Sequence, residues 1–427
     1  MTPPIALAAT AGAHDAAAGA ARDSWQGWTV VGAAFVGMLL SVGVLVVYSF
    51  GVLSSAMAAE FGWSNVQRTG LFVSFSLCTT LAGPVWGTIA DRAGARRVAM
   101  VSPVLLAACF GALAMVPNNL LVVHMTFAAL ALLGGGTLPA AYASLVVGWF
   151  DRRRGLALGI AMIGVGVGAA AVPPIAAKII SLHGWRAVCL AYILVILLIS
   201  LPFAAMFLRS HPEQQRAHRA KAGRPIGSIV AAAMTQQRTW VLAVFSFMTG
   251  AVFLASVTNF VPLLQSRGES LVHAAQYQSV LGISLILGRL IGGALLDRIF
   301  APRVVTAILL VTAAGLLVLR DANAPAAYIL AAVGIGMAIG LEIDFLAFIV
   351  SRYYDRAAFA TIFALFFAMY ALGAAVGPPL FAWSVQASAG YSSALLACAV
   401  VIFAISLLMF ALPRYQAHEE TRDGTNA

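Results

Sequence analysis

The chain of 427 residues is 62% hydrophobic, has a mean hydropathy of +0.94, and carries a charge on only 9% of its residues. This composition excludes an ordinary soluble globular protein, whose apolar share is roughly 45–50%. A formal net charge of +10 would suit a nucleic-acid partner only if the cations shared one soluble face, but they fall in alternate loops. The positive-inside bias of membrane proteins accounts for that charge, and no nucleic-acid partner is expected.

Long apolar runs recur along the whole chain, from Trp28 to Leu412. Each holds about 20 residues or more, enough to cross roughly 30 Å of hydrocarbon as an α-helix. The sequence therefore predicts an all-α membrane protein with twelve transmembrane helices. The predicted spans are 28–57, 66–90, 97–116, 119–147, 155–178, 185–208, 236–265, 272–296, 302–320, 325–350, 357–384 and 391–412.

One long polar stretch, from Ser210 to Gln237, divides these spans into two groups of six. It is expected to be a linker at the membrane surface. The predicted organisation is a disordered cytoplasmic tail (1–22), an N-terminal six-helix bundle (23–208), a cytoplasmic linker (209–235), a C-terminal six-helix bundle (236–415) and a second cytoplasmic tail (416–427).

The arginines are distributed unequally between the two sides of the membrane. The even-numbered connections carry clusters of them, whereas the odd-numbered connections hold isolated cations such as Arg186, Arg267 and Arg320. Because cytoplasmic loops are enriched in Lys and Arg, both termini are predicted to be cytoplasmic. We expect an integral protein of the bacterial inner membrane.

The connection between the second and third predicted helices has the pattern G-x3-D-R-x-G-x-R-R from Gly87 onward. Its carboxylate stands at a helix end, where it can pair with arginine, and Gly94 permits a tight turn. The spacing resembles the signature loop of the major facilitator superfamily at every diagnostic position. That resemblance implies two six-helix, pseudo-symmetric halves, the major facilitator fold, and transport by alternating access. The gate residues that it implies in this loop are Asp91, Arg92, Arg96 and Arg97.

The two groups of spans repeat their motifs in constant register, about 205 residues apart. The repeated motifs begin at Gly87 and Gly293, at Phe150 and Tyr354, and at Gly168 and Gly373. Three matches in one register indicate a duplication and predict a substrate site near the midplane between the halves. The loops that carry these motifs add four residues to the predicted gate, Asp151, Arg153, Asp297 and Arg298.

The run from Trp149 to Ala161, W-F-D-R-R-R-G-L-A-L-G-I-A, is similar to a signature of the monocarboxylate porters within that superfamily. Residues 48–51 and 60–64 also look like the related oxalate/formate exchangers. Two departures distinguish this chain from those branches. Leu285 stands where the porters have an Asp, and predicted helix eleven lacks the Lys of the exchangers. The resemblance to the superfamily covers residues 23–415, and the branch rests on these shorter segments.

Three charged residues lie well inside the predicted spans, namely Arg289, Glu342 and Asp344. A charge at mid-membrane costs ~2.5–3.5 kcal/mol on insertion scales, so each needs a partner or a function. Their similar depth allows an ion pair between helices eight and ten. Two residues apart on a helix is roughly 200°, so Glu342 and Asp344 cannot both face one cavity. The sequence leaves open which of them lines the pathway.

The monocarboxylate porters and the exchangers use an arginine of helix eight to engage the substrate carboxylate, and Arg289 matches its place. The alternative is an arginine that only neutralises one of the two acids. Polar tips on otherwise apolar side chains supply further candidate substrate ligands, although each is more often a packing residue. These candidates are Tyr370, ranked first, then Tyr48, Tyr142 and Asn259.

The leading functional hypothesis is a proton-coupled symporter of a small organic anion, a monocarboxylate, with Asp344 favoured narrowly over Glu342 as the proton acceptor. The alternatives are an organic anion exchanger or an efflux carrier of the same superfamily, or a receptor. No catalytic or metal-binding motif indicates an enzyme, and neither a cofactor nor a metal is expected. The expected partners are the carboxylate substrate, protons and membrane lipid, and the expected state is a monomer.

Overall fold

The computed structural model describes residues 25–150, 153–209, 226–296, 298–354, 358–388 and 390–413. Every regular element within those ranges is helical, and twelve helices are long and apolar enough to cross a membrane. In chain order they are α1 (Trp25–Tyr48), α2 (Asn65–Ala93), α3 (Ala95–Ala114), α4 (Leu120–Trp149), α5 (Arg154–His183), α6 (Trp185–Phe207), α7 (Gln237–Ser266), α8 (Leu271–Leu296), α9 (Ala301–Asp321), α10 (Pro325–Tyr353), α11 (Phe359–Ala387) and α12 (Ser392–Ala411). Two shorter helices, Phe50–Phe61 and Ile226–Met234, follow α1 and precede α7.

The first predicted span, 28–57, is not one regular helix. Its α-helical part ends at Leu39, a π-helical segment covers Gly43–Tyr48, and the Phe50–Phe61 helix continues beyond the predicted end. The irregular part lies against a second break, in α4, where the Thr137 hydroxyl accepts a hydrogen bond of 2.9 Å from the backbone N–H of Val42. A side chain of a neighbouring helix thus satisfies a backbone group that the break would leave bare in hydrocarbon.

The halves, α1–α6 and α7–α12, meet along two seams, in which α2 packs on α11 and α5 packs on α8. Small residues allow this approach. A Cβ atom added to Gly282 of α8 would lie 2.2 Å from the backbone nitrogen of Ala170 on α5. Gly164, Gly166 and Gly168 of α5 are packed in the same way, since a Cβ on each would lie 2.3, 2.3 and 2.5 Å from a neighbouring helix.

Both seams are closed at one end only. We call the membrane face where α1 begins the termini face, and the opposite one the distal face. Ser76 of α2 donates a 3.0 Å hydrogen bond to the Ala371 carbonyl of α11, yet nothing lies within 4 Å of a Cβ built on Gly83, seven residues nearer the termini face. Seven residues return to the same side of a helix. Gly166 of α5 likewise touches α8, whereas Gly159 faces open space. The described halves therefore diverge toward the termini face.

Candidate functional site

An ion pair joins α8 to α10 about 10 Å of helix inside the termini-face end of α8. Arg289 Nε lies 3.1 Å from Asp344 Oδ2, and the two side chains are 10% and 34% exposed. Glycines hold these helices together, since a Cβ on Gly340 would lie 2.2 Å from the Leu285 carbonyl. The pair that the sequence allows is thus present, and Asp344 is its acidic member.

The Arg289 guanidinium is far from saturated with hydrogen bonds. Its Nε is engaged by Asp344, whereas its Nη1 is buried and has no hydrogen-bond partner among the described residues. A guanidinium carries five N–H donors in a planar fork. Arg289 therefore keeps donors available beside an acid that is one-third exposed.

Glu342 has a different environment from Asp344. It is 3% exposed, and its Oε1 accepts a hydrogen bond from the Thr249 hydroxyl of α7. Its Oε2 is buried without a partner, and no described residue forms an ion pair with it. Asp344 thus faces Arg289, and Glu342 packs between helices.

Two of the predicted tyrosines join these charges. The Tyr48 hydroxyl of α1 interacts electrostatically with Arg289 and Glu342. The Tyr370 hydroxyl of α11 interacts in the same way with Glu342 and Tyr48. The Tyr370 ring stacks on Phe367, with ring centroids 6.1 Å apart. Side chains from α1, α8, α10 and α11 therefore converge between the halves, and we take this cluster as the candidate substrate site.

The other two predicted ligands lie elsewhere. Tyr142 is fully buried in the core of the first half, where its ring packs against Gly37 and its hydroxyl has no described partner. Asn259 lies on α7 ten residues beyond Thr249, which is ~15 Å nearer the distal face at 1.5 Å per residue. Neither is brought to Arg289.

The predicted gate is described in part. Asp151 and Asp297 lie outside the described residues, as does the side chain of Asp91. All five arginines of the predicted gate are described and are exposed at the termini face, namely Arg92, Arg96, Arg97, Arg153 and Arg298. Arg96 Nη2 donates a 3.2 Å hydrogen bond to the Ala205 carbonyl and so ties α3 to α6.

Arg68 is a functional candidate that the sequence analysis missed. It is 2% exposed, and its Nη2 donates a 2.7 Å hydrogen bond to Asn259 Oδ1 of the other half. It escaped notice because it stands at the edge of a predicted span, where charge is common. A signal was present: Ser64 and Gln67 form a capping box, which places Arg68 in the first turn of α2. The helix dipole disfavours a cation there.

A surface pair offers a contrast with Arg289. Arg186 Nη1 donates to both carboxylate oxygens of Glu60, at 2.7 and 2.9 Å, and both side chains are 43% exposed. The Arg186 guanidinium holds the pKa of Glu60 below its usual value. This pair lies at the distal surface within one half.

The described residues form twelve membrane-spanning helices, and the two six-helix halves pack together along two seams. A family model described as Major Facilitator Superfamily matches residues 29–364. The chain belongs to the major facilitator superfamily. The predicted fold class and the family resemblance are thereby confirmed, and the protein is a membrane transporter of a small molecule, not an enzyme.

Relatives of this facilitator extend over most of its length. The uncharacterized 38 kDa protein in the 23S RNA operon of Thermoproteus tenax is 26% identical over 361 residues, which is 84% of this chain and 90% of that one. Human monocarboxylate transporter 11 is 25% identical over 409 residues, 92% of this chain and 84% of the relative. The crystal structure of the nucleoside transporter NupG superimposes with a TM-score of 0.71 at 15% identity, covering 91% and 99% of the two chains. A structural likeness at such low identity shows the fold alone.

Proposed function

We propose that this facilitator carries a small organic anion, a monocarboxylate, in symport with protons. The observation that carries the proposal is the Arg289 guanidinium, which lies between the halves with unused N–H donors. A planar fork binds a carboxylate bidentately, and such charge-assisted bonds are strongest where water is scarce. The similarity to human monocarboxylate transporter 11, named for this substrate class, supports the same assignment.

Proton coupling follows from the competition between two carboxylates for one guanidinium. A substrate carboxylate that takes Arg289 releases Asp344, whose charge is then uncompensated in a medium that penalises charge. Asp344 is 34% exposed, so a proton can reach it. The anion and the proton would then load together, and the site could reorient with less net charge. Glu342 stays the second candidate for this role.

The arginine clusters support a cytoplasmic termini face in the bacterial inner membrane. On that orientation the described state is open toward the cytoplasm. The gate loops, including Asp91, would close it when the bundles 23–208 and 236–415, joined by the 209–235 linker, rock against each other. The transporter would work as a monomer, since the site is complete within one chain.

The test is uptake into proteoliposomes from a panel of labelled monocarboxylates, each paired with its neutral amide. An inward proton gradient should drive accumulation of at least one acid and of none of the amides. Vesicles without internal substrate distinguish the two mechanisms, since a symporter accumulates label under the proton gradient alone, whereas an exchanger needs internal substrate. Equal uptake of an acid and its amide would contradict the proposal.

A further inference from the structure

The buried Arg68 links the two halves at the distal end of the molecule. Its Nη1 donates to the Ser54 hydroxyl at 3.1 Å within its own half and to the Thr258 carbonyl of α7, in the other half, at 3.5 Å. Its Nη2 donates to Asn259 Oδ1 of α7 at 2.7 Å. One side chain of the first half thus depends on two oxygens of α7.

The geometry around Asn259 is set up to receive this guanidinium. Asn259 Nδ2 donates to the Ala255 carbonyl at 2.9 Å and to the Thr258 hydroxyl at 3.3 Å, which turns Oδ1 toward Arg68. The first half approaches closely here, because a Cβ on Gly51 would lie 3.1 Å from the Thr258 carbonyl. The helix that carries Gly51 also carries Ser54.

No carboxylate neutralises Arg68 among the described residues, and its buried Nε has no hydrogen-bond partner there. A buried cation without a counter-ion is held by the neutral oxygens around it and by little else. Separation of the halves would remove two of these oxygens and admit water to the guanidinium. The buried Arg68 guanidinium is therefore stable only in the arrangement of the halves that keeps the α7 oxygens beside it.

We propose that the hydrogen bonds from Arg68 to α7 hold the distal face closed and break when that face opens. We call this contact the Arg68 clasp. The inference rests on the alternation between two open states that is part of the proposed function. It does not depend on the charge of the substrate or on proton coupling. Asn259, proposed from the sequence as a substrate ligand, is in this view the receiving half of the clasp.

The experiment measures distances between spin labels across each face of the substrate-free transporter, with the four native cysteines replaced by alanine. The distal pair is placed at Met115 and Gln386, and the termini pair at Met206 and Ile299, all exposed positions on opposite halves. Both Arg68→Ala and Asn259→Ala should raise the population with a long distal distance and a short termini distance. We expect about a tenfold increase, the size of one lost hydrogen bond to a charged group.

Controls separate a clasp from a residue that merely packs. Ser54→Ala removes only the bond within the first half and should leave both distances unchanged. The double variant should shift no further than Arg68→Ala alone, since Asn259 acts on the distal face only through its bond to Arg68. Unchanged distances in Asn259→Ala, or an equal shift in Ser54→Ala, would overturn the proposal. Because the spin-label distances are measured without substrate, they test the Arg68 clasp even if the uptake assay fails.

Discussion

Charge inside the membrane-spanning helices is costly, and the way in which Arg289, Asp344 and Glu342 share it defines the chemistry of the site. Asp344 neutralises Arg289 at 3.1 Å, so that pair carries little net charge in the resting state. Glu342 is enclosed and bonded to Thr249, with no described cation beside it. The two acids therefore have different environments, and under the proposed function they have separate tasks, with only Asp344 competing directly with an incoming anion.

The first prediction separates these tasks. Asp344→Asn should abolish accumulation driven by a proton gradient and keep exchange at equal pH, because the amide cannot take up the transported proton. Glu342→Gln preserves the acceptor for Thr249 and should retain gradient-driven accumulation to within a few-fold. Both variants are compared in one uptake assay with a labelled monocarboxylate. If both still concentrate substrate against its gradient, protons do not travel through α10.

At the level of elements, glycines determine where the halves touch and where they stand apart. On α8, Gly282 is pressed against the α5 backbone, whereas Gly293 faces open space. The same helix is therefore part of a tight seam near its middle and free near the termini face. Such a graded seam lets the halves rock about a contact that is itself hard to compress.

The second prediction uses this gradient along α8. Gly282→Ala would place a methyl group 2.2 Å from a backbone nitrogen of α5. Overpacking of this kind costs about 1–3 kcal/mol, so we expect a lower unfolding temperature in detergent and a slower transport rate. Gly293→Ala is the matched control on the same helix and should change neither. Equal unfolding temperatures and equal transport rates in the two variants would contradict a tight contact between Gly282 and α5.

The twelve spans could be predicted because a transmembrane helix is specified by its own apolar length. The break after Leu39 could not be predicted, because the hydroxyl that accepts a hydrogen bond from the free N–H of Val42 belongs to Thr137 of α4. The Arg289–Asp344 pair was accessible to sequence reasoning because mid-membrane charge is rare and depth can be counted along a helix. Arg68 was not, because a charge near a helix end is ordinary unless the tertiary structure buries it. Tyr142 shows the converse: its place in the span gave no sign that it packs within one half.

For the whole molecule, closure of one face and divergence at the other describe a single state of a transport cycle. The distal face is joined by Arg68 and by Gln278, whose Nε2 donates a 2.8 Å hydrogen bond to the Tyr48 carbonyl. That second link ends on Tyr48, whose hydroxyl interacts electrostatically with Arg289. Closure of the distal face and the shape of the candidate site are thereby connected through α1.

The third prediction concerns orientation. In the proposed orientation the α2–α3 loop is cytoplasmic and the α11–α12 loop lies outside. In intact cells, a cysteine at Ala95 should therefore be protected from an impermeant thiol reagent, whereas a cysteine at Gln386 should react. Permeabilised cells provide the control, in which both positions should label. Labelling at Ala95 in intact cells would reverse the orientation and with it the direction in which the described state opens.

The central claim is that the Arg289 guanidinium binds the carboxylate of the substrate, and one matched pair of substitutions tests it directly. The measurement is the initial rate of labelled monocarboxylate uptake into proteoliposomes by Arg289→Lys and by Arg186→Lys. Arg186 pairs with Glu60 at the distal surface, so the same chemical change there should leave the rate near wild type. Arg289→Lys should lose at least about tenfold, because an ammonium cannot reproduce two parallel bonds to a carboxylate. Equal, near wild-type rates in the two variants would contradict the claim and leave Arg289 as no more than the counter-ion of Asp344.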